Sequence, residues 1–308
     1  MHPLAPYPSP DEREAELDRA AHAAGGEVVV YGASCEGRPL RIARLPALAP
    51  SRRQVLCTAG IHGPELIAAH TALALLRSAS DGGSEAYRLR QQAELWVAPC
   101  LNPDGYHATW VSEGDAPLSR LRPNAHGVDL NRNFPAPRGR HYTSLPWAGS
   151  SHPQSVNYRG PAPLSEPETD ALHRLLTQQR FHAAVGLHSF MGRVIPARVT
   201  DRKDYAAYSE LARCFRRAQI GQRYGRLASR WFDVYTGELE DHLHHNLRCW
   251  GVCVEIMTIR FSYGQHLRAP RLFWRFNPHD PDPWVRSDVP AAVALLQAAL
   301  QLPHPGFD

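Results

Sequence analysis

Apolar positions along the chain fall into two kinds of run that alternate from one end to the other. Short blocks of mostly consecutive apolar residues, Glu27 to Tyr31, Leu40 to Leu45, Gln54 to Thr58, Glu94 to Pro99, Ala183 to Leu187 and Gly251 to Met257, read as strands. Several lack the in-out alternation of a half-solvated strand, which predicts strands covered on both faces. Longer stretches with apolar residues three and four apart, Asp11 to Ala24, Glu65 to Arg77, Glu168 to Gln179, Asp204 to Ala218 and Val289 to Gln301, read as helices. Ser165-Glu166-Pro167-Glu168 predicts a capping box at the start of the third of these, with proline in the first turn. Strands interleaved with helices define an α/β domain. Gly82-Gly83 and Pro278 to Pro283 are too short to link domains, so residues 1–308 read as one domain, of which 1–25 are a proline-rich segment and helix. Asp104 to Ser165 stands apart as a long aperiodic stretch rich in Pro, Asn, Arg and Gly, and loops of that length in a compact domain are usually functional.

Composition narrows the function. At 43% hydrophobic residues in 308, the chain can bury a large core, which excludes overall disorder. Basic and acidic residues nearly balance, 34 against 30, with no polybasic block, so nucleic acid is not expected as a partner. The apolar stretches Leu66 to Leu76 and Val289 to Leu300 fall short of the ~18–20 residues that span a bilayer. The N-terminus has four early prolines and no basic start before an apolar core, so no secretory signal is read and a cytoplasmic location is expected. The six scattered cysteines, none in Cys-x-x-Cys spacing, read as reduced thiols. Nothing in the sequence specifies an oligomeric state.

The chemistry collects at the predicted strand ends. His62-Gly63-Pro64-Glu65 follows Gln54 to Thr58 and opens a helix, so imidazole and carboxylate can reach one zinc ion together. In a chain with 17 histidines such a pair arises by chance about once, so it carries weight only with a third ligand. His188 ends the run Ala183 to Leu187, where open α/β sheets place ligands. Glu255 sits inside Val252 to Met257, where a buried carboxylate is costly unless it is paired or near a metal, and a general base is the functional explanation.

Five blocks then match one family in order. His62-x-x-Glu65, Leu101-Asn102-Pro103-Asp104-Gly105-Tyr106, Gly127-Val128-Asp129-Leu130-Asn131-Arg132-Asn133-Phe134-Pro135, Leu187-His188-Ser189-Phe190 and Glu255 resemble the zinc carboxypeptidases related to carboxypeptidases A and B. The resemblance begins at Tyr31-Gly32-Ala33-Ser34-Cys35-Glu36-Gly37-Arg38-Pro39 and covers most of the chain. It implies a mixed, twisted central sheet of about eight strands with helices on both faces. It implies one zinc per chain held by His62, Glu65 and His188, with Asp129 hydrogen-bonding a ligand histidine. Glu255 would take a proton from the attacking, zinc-bound water and return it to the leaving amine, and Arg122 would polarise the scissile carbonyl. Asn131 and Arg132 would grip the free carboxylate of a short peptide or amide substrate.

Specificity is less determined. Tyr235, in Tyr235-Thr236-Gly237-Glu238-Leu239-Glu240-Asp241, resembles the family's mobile tyrosine, with two residues fewer before the aspartate. Glu240 stands where the family has its specificity-pocket floor and would select an amine-bearing residue; alternatively it belongs to a solvated, acid-rich helix start. The compact Arg122 to Pro135 block and Ser165-Glu166-Pro167-Glu168-Thr169 resemble bacterial murein peptide amidases, which cut a γ-glutamyl bond to diaminopimelate. A sister group, deacylases of the aspartoacylase and succinylglutamate desuccinylase kind, is the alternative, and a catalytically dead module that recognises C-termini is a third reading. His242, His244 and His245 read as a polar helix face rather than a second metal site, and Phe273, Trp274 and Phe276 as packing after the catalytic strand.

Overall fold

In the computed structural model, residues 2–143, 148–228 and 235–305 are described. Eight strands form one sheet: β1 (Glu27–Ala33), β2 (Pro39–Leu45), β3 (Gln54–Ala59), β4 (Glu94–Ala98), β5 (Ala183–Ser189), β6 (Arg193–Pro196), β7 (Gly225–Arg226) and β8 (Trp250–Ile256). Their order across the sheet is β1-β2-β4-β3-β5-β8-β6-β7. The central β4, β3, β5 and β8 run parallel, and β2 and β6 flank them antiparallel, so the sheet is mixed as the family resemblance implies. The core strands are buried on both faces. Val55, Cys57, Val185, Leu187, Val252 and Val254 pack against the helices Leu66–Ser78 and Asp282–Ala299. Leu56, Trp96 and Ala184 point the other way, onto Leu172 and Leu176 of Pro167–Gln179 and Leu243 of Leu239–Leu247.

Several local expectations change. The capping box at Ser165 does not form, because tertiary partners take both side chains. Ser165 Oγ accepts from Asn133 Nδ2 at 3.0 Å and donates to Glu166, while Glu168 Oε1 accepts from the Cys35 amide at 3.0 Å. Glu166 is the N-cap instead, without a side-chain cap bond. A capping box does close at Ser9 and Glu12, opening Pro10–Ala23. The last helix begins at Asp282, not Val289, and carries Pro290 inside it; its N-terminal half is covered by Trp284 and Asp288, both buried. The stretch read as aperiodic loop holds the helices Pro103–Val111 and Leu118–Leu121 and a 3-10 turn at Leu130–Arg132. Asn102-Pro103 starts the first of these as N-cap and first-turn proline, with Asn102 Oδ1 accepting from Gly105 N at 2.9 Å. Strands β6 and β7 were invisible to periodicity because they have four and two residues. All six cysteines are free thiols. No described helix is long and apolar enough to cross a membrane.

This topology positions chemistry. Parallel pairing brings the C-terminal ends of β3, β5 and β8 side by side, and the register sets His188 directly opposite Glu255. Ligand sites in open α/β sheets form at such ends.

Candidate active site and metal centre

The turn after β3 is clamped by backbone contact. A Cβ on Gly63 would lie 2.3 Å from the carbonyl carbon and oxygen of Gly105, so only glycine lets the two segments meet. Asn102 Nδ2 donates to Ile61 O at 3.3 Å and Pro123 O at 3.1 Å, tying the turn to the segment that follows Arg122. From the far side Asn277, fully buried, donates to Pro64 O at 2.7 Å and accepts from Ile67 N at 2.8 Å. Gly63→Ala is expected to cost about 1–3 kcal/mol through overpacking. A urea midpoint equal to wild type would show that the two segments can part freely.

Within this frame His62, Glu65 and His188 converge, each no more than 5% exposed. His62 Nδ1 is 2.8 Å from Glu65 Oε1, and His188 Nδ1 is 3.2 Å from Glu65 Oε2. Tetrahedral zinc with bonds of ~2.0–2.1 Å separates neighbouring N and O donors by about 3.3 Å. The other face of His62 is fixed, since its Nε2 donates to Asp129 Oδ1 at 3.1 Å. With Nε2 turned to Asp129, His62 Nδ1 is left facing Glu65 Oε1, the arrangement of two donor atoms presented to one ion. The donor set therefore fits a divalent metal. Burial works against the charge on Glu65, but His62 and His188 outweigh it and hold the carboxylate well below its usual range. Burial likewise opposes charge on His188, and Glu65 overrides it, raising the imidazole to about 9.

Asp129, with no exposed surface, serves three neighbours. Besides His62, its Oδ1 accepts from Asn131 N at 3.0 Å, and its Oδ2 accepts from Arg122 Nε at 3.0 Å. Arg122 Nη1 lies 4.0 Å from Glu65 Oε1. Burial disfavours the Asp129 charge, but Arg122 and His62 overcome it and keep the group ionised. The Asn131 side chain accepts from Leu239 N at 2.9 Å, and Arg132 donates to Asn131 O at 2.7 Å and pairs with Glu238 at 3.2 Å. The buried Arg132 Nε and Glu255 Oε2 have no hydrogen-bond partner among the described residues. Burial, then Glu65, pushes the Glu255 carboxyl above its ordinary value.

His62, Glu65, Arg122, Asn131, Arg132, His188 and Glu255 line one cleft of about 590 Å³, with Asp129 behind it, and the cleft also takes in Glu240, Glu238, Arg198 and Phe190. The solvated-helix-start reading of Glu240 does not hold: the helix Leu239–Leu247 turns that side chain inward, leaving it 5% exposed. Burial, then Glu238 and Asp241, raises its carboxyl to about 8. Arg198 donates to Asp241 Oδ2 at 2.8 Å and also pairs with Glu238. Tyr235 is not brought to the cleft; it is buried, edge-on to His245 with ring centroids 5.5 Å apart. His242 and His244 are buried rather than a polar face, bonded to His173 at 3.0 Å and Tyr208 at 3.0 Å. Phe273, Trp274 and Phe276 are buried packing, as expected. Sequence reasoning missed Arg198, Glu238 and Asn277; Asn277 stands just before the Pro278 to Pro283 loop with no motif around it, and Arg198 follows a strand too short to detect.

A sheet of this topology with a buried two-histidine, one-carboxylate set at its strand ends has the donors of a zinc hydrolase. Residues 16–265 match the family model "Zinc carboxypeptidase", and the chain belongs to that family of zinc-dependent peptide hydrolases. It is 31% identical over 172 residues to human carboxypeptidase A6, covering 52% of this chain and 37% of that protein. It is 37% identical over 148 residues to murein peptide amidase A of Escherichia coli K12, covering 47% of this chain and 52% of the amidase. The chain thus spans about half or less of the curated relatives it matches. Bovine thrombin-activatable fibrinolysis inhibitor, solved with tick carboxypeptidase inhibitor, shares the fold at TM-score 0.74 and 19% identity over 96% of this chain and 98% of that one.

Proposed function

We propose that this protein removes a C-terminal residue from a short peptide or amide, and that the departing residue carries an amine at the end of its side chain. The observation behind the second half is Glu240, a buried carboxylate in the cleft with no arginine or lysine partner among the described residues. A buried acid without a counter-charge is costly, and a ligand ammonium supplies one. Arg198 is already paired with Asp241 and Glu238, so the counter-charge for Glu240 is left to the ligand, and the free amine of γ-glutamyl-linked diaminopimelate fits that role. Similarity to a murein peptide amidase supports the same class.

His62, Glu65 and His188 would hold zinc, which when bound would supply Lewis acidity toward the carbonyl and lower the pKa of water. Asn131 and Arg132 bind the terminal carboxylate, with the unpaired Arg132 Nε among the free donors. Arg122, oriented by Asp129, polarises the scissile carbonyl. Glu255 takes the proton from water at its partnerless Oε2 and passes it to the leaving amine.

Screening dipeptides with varied C-termini, N-acyl amino acids and a γ-glutamyl-diaminopimelate peptide tests the reading; preferred release of acyl groups from N-acyl amino acids would reverse it. Glu240→Ala is expected to lower kcat/KM for C-terminal lysine by about tenfold or more and to leave leucine nearly unchanged. The acid has to be ionised to attract the amine, and it loses its proton near pH 8 in the free protein. The lysine-to-leucine ratio of kcat/KM should therefore rise between about pH 6 and about pH 9, while the substrate amine stays charged, and should be flat in Glu240→Gln. Equal losses on both substrates would eliminate the acidic-pocket reading.

A further inference from the structure

Outside the cleft, the turn after β1 and the start of Pro167–Gln179 meet the segment between Arg122 and Asp129. Cys35 Sγ lies 3.4 Å from His126 Nδ1 and 3.9 Å from Glu166 Oε2, and His126 Nδ1 is itself 2.8 Å from Glu166 Oε2. A sulfur, an imidazole nitrogen and a carboxylate oxygen thus face a common point. Tetrahedral zinc bonded to these three atom types at ~2.3, ~2.05 and ~2.0 Å sets them about 3.3–3.6 Å apart. We propose that Cys35, His126 and Glu166 form a second zinc-binding site, distinct from the one in the cleft.

The geometry separates this from a nucleophilic triad. A Cys-His-Glu relay needs the thiol on one ring nitrogen and the carboxylate on the other. Here both face Nδ1, the arrangement of ligands around an ion and not of a proton relay. Charge balance points the same way. Glu166 and Glu168 are each 2% exposed, and among the described residues neither has an arginine or lysine partner, the His126 imidazole being the one basic group against Glu166. Carboxylates this deeply buried are normally paired or bound to metal.

Asn124 donates its Nδ2 to Glu166 at 2.8 Å and to Glu168 at 3.1 Å, but a neutral amide does not balance two charges. The orientation of that amide is fixed, because Oδ1 accepts from His126 N at 3.1 Å and Val128 N at 3.0 Å. Asn124 therefore holds the carboxylates from the inside while His126, 59% exposed, closes the triangle from the solvent side. That exposure gives an ion its route in and leaves a fourth position for water. On binding, the Cys35 S–H proton passes to solvent and the sulfur coordinates as thiolate.

The site braces the catalytic segment rather than taking part in hydrolysis. Asn124 N donates to Val128 O at 3.0 Å, closing the loop whose two ends are Arg122 and Asp129. An ion bridging this loop to β1 and to the helix Pro167–Gln179 would fix it at both flanks.

Equilibrating metal-free full-length protein with zinc is expected to give about two ions per chain. Cys35→Ser and His126→Ala, both at solvent-accessible positions, are each expected to give one. Cobalt(II) identifies the ligand, because a thiolate produces a near-ultraviolet charge-transfer band that imidazole and carboxylate do not. That band should vanish in Cys35→Ser and persist in Cys253→Ser, the thiol lying beside His188 and Glu255. It should also persist in His188→Ala, which removes only the ion in the cleft, so the two metal assignments fail independently. One zinc per wild-type chain that Cys35→Ser and His126→Ala both retain, or a band that follows Cys253, overturns the proposal.

Discussion

Glu255→Gln is expected to lower kcat by a factor of about 10²–10⁴ while zinc content and thermal unfolding stay close to wild type. The amide has the same shape and fills the same place at the end of β8, opposite His188, so neither packing nor the metal donors are disturbed. What it lacks is the capacity to accept a proton, and Glu255 Oε2 is a buried carboxylate oxygen in the cleft without a hydrogen-bond partner among the described residues. The wild-type pH profile carries the same signature. Burial and Glu65 raise the Glu255 carboxyl, so kcat/KM should fall as pH drops through that raised value and the base becomes protonated. The residual activity of the glutamine variant should lack this acid limb. Turnover within threefold or so of wild type would remove Glu255 from the mechanism.

Stripping the metal with a chelator is the second large effect. Activity should fall to background and return when zinc is added back, because the carbonyl then loses its Lewis acid and water its activation. Stability should fall as well, since an ion that binds only the folded state adds about 4 kcal/mol at a thousandfold excess over Kd. Full activity in protein shown by elemental analysis to be metal-free would exclude the metallopeptidase mechanism for this chain.

Much of this molecule was legible from residue order. The six longer strands stand out as apolar blocks, the central ones buried and the edge strand β1 partly exposed, and the positions singled out for chemistry, His62, Glu65, Arg122, Asp129, Asn131, Arg132, His188, Glu240 and Glu255, all belong to one cleft or its immediate support. The clues were local: a short motif at a strand end, or a carboxylate inside an apolar run. What escaped was decided by distant partners. Glu168 left its expected capping role because the Cys35 amide was a better-placed donor, and Asn277 gained importance through contacts to Pro64 and Ile67 over two hundred positions away. The order of residues suggested Tyr235 for the cleft, but its ring is buried edge-on against His245, a contact no local pattern announces. The acidic start of Leu239–Leu247 looked like a surface feature because composition cannot tell which way a helix face turns.

The three bonds of Asp129 carry a consequence for how this enzyme can change. Loss of that carboxylate would release a histidine, free an arginine and slacken the backbone at Asn131 in one stroke. Variants at His62, Arg122 and Asp129 should then be strongly sub-additive, with a double replacement scarcely worse than the more harmful single one. A lineage descended from this chain could alter Glu240 and Arg198 to take new substrates by small steps. At Asp129 no such gradual path exists, and selection has to keep or abandon the whole assembly together.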